Sequence, residues 1–272
     1  MKRDAKIFFI IWICFLIIGG LILYLNQSQG YIIFSNPQLN ETYVTFRFDD
    51  GLASQKQAFD VLKENNLTGS LYVIVNRINL SDDIDKGYYL DWNEIKNLSE
   101  FMEIGSHSLN HFDLTKSKDY KKEIIESKTA LLERGFNVTT FVYPGGNYDS
   151  WVLRVVKDNY DCASSQDVGT NWIPLREYAL KDFTFRDKND IDTIKRVIKP
   201  GKWNILAFHD INLKDPDIAA KIKPFSDYAG ATYANDISLE YFKKIVSYVK
   251  ENNYTVITIN DGCGRFKDGT EY

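Results

Sequence analysis

The chain has only three histidines, His107, His111 and His209, and among its acidic residues Asp49 and Asp50 stand side by side. His107 and His111 have H-x₃-H spacing. On one helical turn residues i and i+4 share a face, so both imidazoles reach one ion. A carboxylate at the end of a strand supplies a third ligand. Two histidines and a carboxylate, with a position left for water, are a pattern of hydrolytic zinc sites, and non-haem iron uses a similar triad. Asp49 and Asp50 point in different directions on an extended chain. One can therefore ligate while the other takes a proton from water. Asp-Asp-Gly is also turn chemistry, and the tripeptide alone favours the turn. Its place after a strand-type run, together with the histidines, favours catalysis. His209 then supplies an acid to protonate a leaving group.

These residues need elements to hold them. Tyr43–Phe48 reads YVTFRF, a β-type run that ends at Asp49. Further strand-type runs cover 70–75, 102–105, 141–143, 163–165, 204–208 and 255–259. Helical periodicity marks 55–65, 91–98, 119–134, 150–158, 191–198 and 239–252. Alternating strand and helix imply parallel strands with helices outside. Seven or eight such units in about 220 residues suit a closed, deformed (β/α) barrel, a fold of the α/β class. The C-terminal rim of such a barrel carries the active site. Asp49, Asp50, His107, His111, Pro144 and His209 all fall on it. Residues 211–237, with Pro216, Pro224 and Gly230, form a long connection expected to loop over one mouth.

The N-terminal residues differ from the rest. Residues 1–6 carry Lys2, Arg3 and Lys6, and residues 7–25 hold no charge. As a helix that apolar run is about 28 Å long, enough to cross a hydrocarbon core. It ends without the small-residue cleavage site of a signal peptide, so an uncleaved transmembrane signal-anchor is expected. The positive residues keep 1–6 cytoplasmic and put the rest outside. Residues 26–42 read as a linker, and 43–272 as the domain. Net charge is 33 − 37 = −4, which gives no basic footprint for nucleic acid. Three cysteines form no disulfide framework. Cys14 lies in the apolar run, and Cys162 and Cys263 are free to pair or not.

Phe48-Asp49-Asp50-Gly51, Ser106-His107-Ser108-Leu109-Asn110-His111, Tyr143-Pro144-Gly145-Gly146 and Leu206-Ala207-Phe208-His209 stand in a characteristic order. In this, residues 43–262 resemble the polysaccharide deacetylases, the NodB-homology domain of carbohydrate esterase family 4. The resemblance implies a deformed barrel and metal-dependent removal of N-acetyl, sometimes O-acetyl, groups from a cell-envelope or extracellular glycan. It implies Asp49 as general base, His209 as general acid and the Gly145 N–H, just after Pro144, as oxyanion donor. It also implies Asp50, His107 and His111 as ligands of one divalent ion, Zn²⁺ before others. The chain departs from the family in two places. Residue 47 is Arg where many members have Thr, and the third motif lacks the Arg that orients the catalytic Asp in many members. Arg186 is the candidate to replace it. Trp92, Tyr148 and Trp172 are candidates to stack on sugar rings or simply to pack the barrel. A silent carbohydrate-binding module and a same-fold hydrolase of another C–N bond are the alternatives. The sequence leaves the oligomeric state open.

Overall fold

In YVTFRF, β-branched and aromatic residues alternate with residues of the opposite strand face, and all six are buried. Burial on both faces is expected of a parallel strand enclosed by helices. The computed structural model describes residues 39–78, 88–186, 191–212 and 236–266. This first strand, β1 (Tyr43–Phe48), divides its side chains between two cores. Val44, Phe46 and Phe48 face outward into a large cluster with Phe59, Phe208 and Phe242. Tyr43 faces inward with Tyr72, Val142, Cys162, Leu180 and Trp203. Thr45 also faces inward, accepting from Trp203 Nε1 at 2.9 Å and donating to the Ile257 carbonyl at 2.8 Å.

The strands that follow are β2 (Ser70–Val73), β3 (Glu103–Ser106), β4 (Thr140–Val142), β5 (Cys162–Val168), β6 (Leu180–Thr184), β7 (Trp203–Phe208) and β8 (Thr255–Val256). Every ladder is parallel. The order β2-β3-β4-β5-β6-β7-β1 closes on itself because β1 also pairs β2. β1 runs in register with β7 from Tyr43↔Trp203 to Phe48↔Phe208. Its other edge is shared. β2 pairs with Arg47 and Phe48, and the two-residue β8 pairs with Tyr43 and Val44. The result is a seven-stranded barrel with a short eighth strand wedged beside the start of β1. On β3 a Cβ at Gly105 would lie 2.2 Å from the Tyr72 ring, so glycine there lets the interior close.

Helices α1 (Lys56–Glu64), α2 (Trp92–Leu98), α3 (Tyr120–Glu133), α4 (Ser150–Asn159), α5 (Ile191–Val197), α6 (Leu239–Glu251) and α7 (Ile259–Phe266) accompany the strands. The run 255–259, expected as one strand, stops after Val256. Thr258 Oγ1 accepts from the Asp261 N–H at 3.0 Å and Asp261 Oδ2 accepts from the Thr258 N–H at 3.2 Å. That reciprocal cap starts α7 instead. α7 packs at the N-terminal mouth of the barrel, with Phe266 against Tyr43 and Trp203. A disulfide joins its Cys263 to Cys162, the first residue of β5. Replacing Cys263 by Ser is expected to cost about 2–4 kcal/mol, because the closed loop is long. For a domain of this size that is roughly 2–4 °C in Tm per kcal/mol. Thermal unfolding of the full chain measures it, and a parental midpoint in Cys263→Ser would contradict it.

The apolar run 7–25 lies outside the described residues. Among the described residues no helix is long and apolar enough to cross a membrane. The chain already packs on the barrel at Leu39, which is buried and whose N–H donates to the Gly201 carbonyl at 2.8 Å. Most of the long connection, 213–235, is also outside the described residues. Its two ends meet, with the Asn212 N–H on the Ile237 carbonyl at 2.8 Å.

Candidate active site

Alternation along β1 carries Tyr43, Thr45 and Arg47 up the barrel interior, and Asp49 continues that column. Asp49 is fully buried. Its N–H donates to the Phe208 carbonyl at 3.0 Å, the last bond of the β1–β7 ladder. Asp50 and Gly51 then adopt left-handed φ values of 73° and 74°. The chain turns there, so Asp50 leaves the interior column and faces the end of β3.

His107 directly follows β3, and its N–H extends the ladder to the Val73 carbonyl at 3.0 Å. The H-x₃-H segment is not helical. It is a loop in which Ser108 and His111 have φ of 67° and 62°. Ser108 Oγ accepts the His111 N–H at 3.0 Å. The buried Glu123 of α3 grips Asn110, accepting from its N–H at 2.8 Å and its side-chain amide at 2.6 Å. Local polar bonds in a loop thus bring the imidazoles together, in place of the expected i, i+4 helical face. Their ring centroids are 4.7 Å apart.

Asp50 Oδ1 lies 3.5 Å from His107 Nε2 and 3.7 Å from His111 Nε2. One ligand atom from each of the three residues falls within 4.8 Å of the others. His107 Nδ1 is 2.8 Å from the Val142 carbonyl, which accepts its proton and leaves Nε2 a bare lone pair. Burial, with His111 adding, pulls the His107 imidazole down to about 4 against the pull of Asp49 and Asp50. It is therefore neutral at neutral pH, and the cluster is not a salt bridge. His107 Nε2 and Asp50 Oδ1 are buried with no hydrogen-bond partner among the described residues. Convergent lone pairs with no proton between them fit a divalent cation. His111→Ala is expected to weaken metal affinity by at least the 10–100-fold, roughly, that loss of an outer-shell partner costs. Equilibrium dialysis against Zn²⁺ measures it, and parental affinity would remove His111 from the set.

Asp49 sits beside this cluster in a different network. Arg47, wholly buried, donates from Nη2 to Asp49 Oδ2 at 2.9 Å. From Nη1 it donates to Asp182 Oδ2 at 2.6 Å and Ser164 Oγ at 2.7 Å. Burial pushes the Asp49 carboxyl up, but Arg47, His107 and His209 outweigh it and hold it below the usual range. Asp182 is pushed up to about 6 by burial, with Arg47 opposing and Asp49 adding. Asp49 Oδ1 has no partner among the described residues. His209, at the end of β7, places Nε2 3.9 Å from Asp49 Oδ2.

The partner proposed for Asp49 from sequence, Arg186, is corrected. Arg47 fills that role from the same strand, and Arg186 is exposed beyond the end of β6. The signal was present in YVTFRF-Asp. Residues i and i+2 share a strand face, so an arginine in an apolar run two residues before a carboxylate meets it. Asp182, 135 residues away, gave no local signal. Trp172 is also relocated. Its neighbour Asn171 bridges Trp203 at the N-terminal end of β7, and its ring lies between Lys181 and Lys202. Trp92 packs between Phe136 and the Arg134 guanidinium. Tyr148 follows the Pro144–Gly146 turn and stacks on Tyr143 at 4.7 Å. In that turn Gly145 has φ 62°, and the Gly146 N–H makes the closing bond to the Tyr143 carbonyl at 2.8 Å. The Gly145 N–H is left outside the turn's own bond.

Residues 36–160 match the family model for polysaccharide deacetylase. That segment holds Asp49, Asp50, His107, His111 and Gly145, and His209 lies beyond it. No curated protein matches the chain. Among solved structures, a polysaccharide deacetylase from Bacillus cereus is similar at 25% identity and a TM-score of 0.51, over 57% of this chain and 51% of that one. The chain thus spans about half the length of that relative. A Streptococcus pyogenes deacetylase in complex with acetate shares the fold, at 19% identity and TM-score 0.52, over 57% of this chain and 70% of its own. So does the Xyl-CE4 domain of a multidomain xylanase from the hindgut metagenome of Trinervitermes trinervoides, at 16% and 0.52, over 86% of this chain and 96% of its own. The matched segment, the barrel and the order of its motifs together make this chain similar to the polysaccharide deacetylases.

Proposed function

We propose that the protein hydrolyses N-acetyl, or O-acetyl, groups from an acetylated glycan of the cell envelope or extracellular space. The observation that carries this is the placement, at one barrel mouth, of a bare ligand set beside a buried carboxylate with one free oxygen. Asp50, His107 and His111 would hold a divalent ion, Zn²⁺ by preference, which when bound supplies Lewis-acid polarisation and acidifies water. Asp49 takes the proton of the attacking water at Oδ1. Arg47 holds Oδ2 and keeps the carboxyl ionised and oriented. The Gly145 N–H donates to the oxyanion that develops on the acetyl carbonyl. His209 gives the proton at Nε2 to the departing amine or alcohol. Phe112, next to His111, and Trp151, in the first turn of α4, are both more than half exposed. With Tyr148 they give the mouth aromatic faces suited to sugar rings.

Acetate release by the full chain tests the reading. A panel of N-acetyl chito-oligosaccharides, peptidoglycan fragments and acetylated xylan is expected to include a substrate whose turnover stops with chelator and returns with Zn²⁺. Glycan binding without turnover would instead support a silent binding module.

The same proposal places the domain outside the cytoplasm, tethered by residues 7–25. The Cys162–Cys263 disulfide supports that location, since such bonds persist in oxidising compartments. The full-length protein is expected to stay in the membrane fraction after alkaline carbonate washing. A soluble form starting near residue 26 would show that the run is a cleaved signal.

A further inference from the structure

The β1–β7 ladder ends at the Asp49 N–H. The next carbonyls on the two strands are those of Asp49 and His209, the residues read above as base and acid. Both would have no ladder partner. Gln55 meets both. It closes a short 3₁₀ turn, Ala53–Gln55, that follows β1, and it is fully buried. Its Nε2 lies 2.7 Å from the Asp49 carbonyl and 2.9 Å from the His209 carbonyl. A carboxamide nitrogen carries two hydrogens, and both are used here. Two carbonyl acceptors at one end also fix which way the amide faces. The preceding residue adds a second tie to the same strand end, with Ser54 Oγ donating to Asp210 Oδ1 at 2.9 Å.

We infer that Gln55 is a positioning residue that joins the two strand ends carrying Asp49 and His209, and so sets the spacing between proposed base and proposed acid. The inference rests on the functional reading for its consequence but not for its geometry. One amide replaces the rung that the ladder lacks. Each carbonyl otherwise stays buried without a donor, which is costly and is relieved only if the strand ends move apart toward other donors. A shift of that kind changes the distance between Asp49 Oδ2 and His209 Nε2, now 3.9 Å. The two metal-ligating histidines stand on other supports, His107 on the Val142 carbonyl and His111 on Ser108. They are not expected to move.

Gln55→Met keeps the length and removes both donors. In the full chain, kcat on a chito-oligosaccharide, or on whichever panel glycan the parent turns over, is expected to fall about ten- to a hundred-fold. KM should stay within about twofold. The three histidines make a second readout simple. In the metal-free full chain with ¹³C,¹⁵N-labelled histidine, Gln55→Met should shift or broaden the His209 ring signals and leave those of His107 in place. In the parent, the two side-chain amide protons of Gln55 should exchange slowly with solvent. Unchanged His209 signals, or fast-exchanging Gln55 amide protons, overturn the inference even where no substrate is turned over. If Gln55→Met does not fold, Gln55→Leu, which also removes both donors and adds no charge, gives the same comparison, and the parental exchange measurement stands alone. An inactive parent with the predicted spectra would count against the proposed function and not against Gln55.

Discussion

Replacing Asp49 by Asn is expected to lower kcat by about 10²–10⁴-fold and to leave Zn²⁺ content parental. The side chain keeps its shape, and the ligand atoms of Asp50, His107 and His111 are on other residues. What is lost is the capacity of Oδ1 to accept a proton. The parental acid limb of kcat/KM should lie below the ordinary aspartate range, because burial is outweighed by Arg47, His107 and His209. Near-parental turnover in Asp49→Asn would assign the base elsewhere.

Arg47→Met is expected to destabilise the full chain by about 3–5 kcal/mol, the usual cost of removing one partner from a buried ion group. One guanidinium serves two fully or almost fully buried carboxylates, Asp49 and Asp182. Without it, the main opposition to burial is gone at both, and both pKa values rise. A group whose folded pKa is raised destabilises the folded state above its unfolded value, and the cost disappears as pH falls below that value. The stability deficit should therefore shrink toward acid pH, and the acid limb of activity should move upward. Denaturant unfolding across pH measures the first and the kcat/KM profile the second. Pairing Arg47→Met with Asp182→Asn should recover part of the loss, because one of the stranded charges is gone. A deficit independent of pH would mean that Arg47 acts through packing alone.

Much of the site could be read in the sequence because its residues follow strand ends directly. Phe48-Asp49-Asp50-Gly51 and Phe208-His209 are local patterns, and the barrel order turns local position into shared position at one mouth. The H-x₃-H spacing picked out two histidines whose rings do meet, though not on a helix. Two left-handed residues and a grip from Glu123 do what a helical turn was expected to do. Long-range pairing was hidden. Asp182 reaches Arg47 across 135 residues, and Trp172 is carried to the opposite end by the Asn171–Trp203 bridge. The short β8 and the start of α7 depended on whether Thr258 and Asp261 would cap each other, which a strand-type run such as TVITI does not reveal.

The Cys162–Cys263 bond makes a covalent ring of β5, β6, α5, β7, α6, β8 and most of α7. His209 lies on that ring, whereas Asp49, Asp50, His107 and His111 come from the chain before it. A single backbone cut inside the ring opens it without dividing the molecule. A molecule nicked between Asn212 and Asp236 keeps β8, the wedge beside β1, bonded to the fragment that holds all five of these residues. It would migrate as one species without reductant and as two with it, so loss of chain integrity and loss of the site need not coincide.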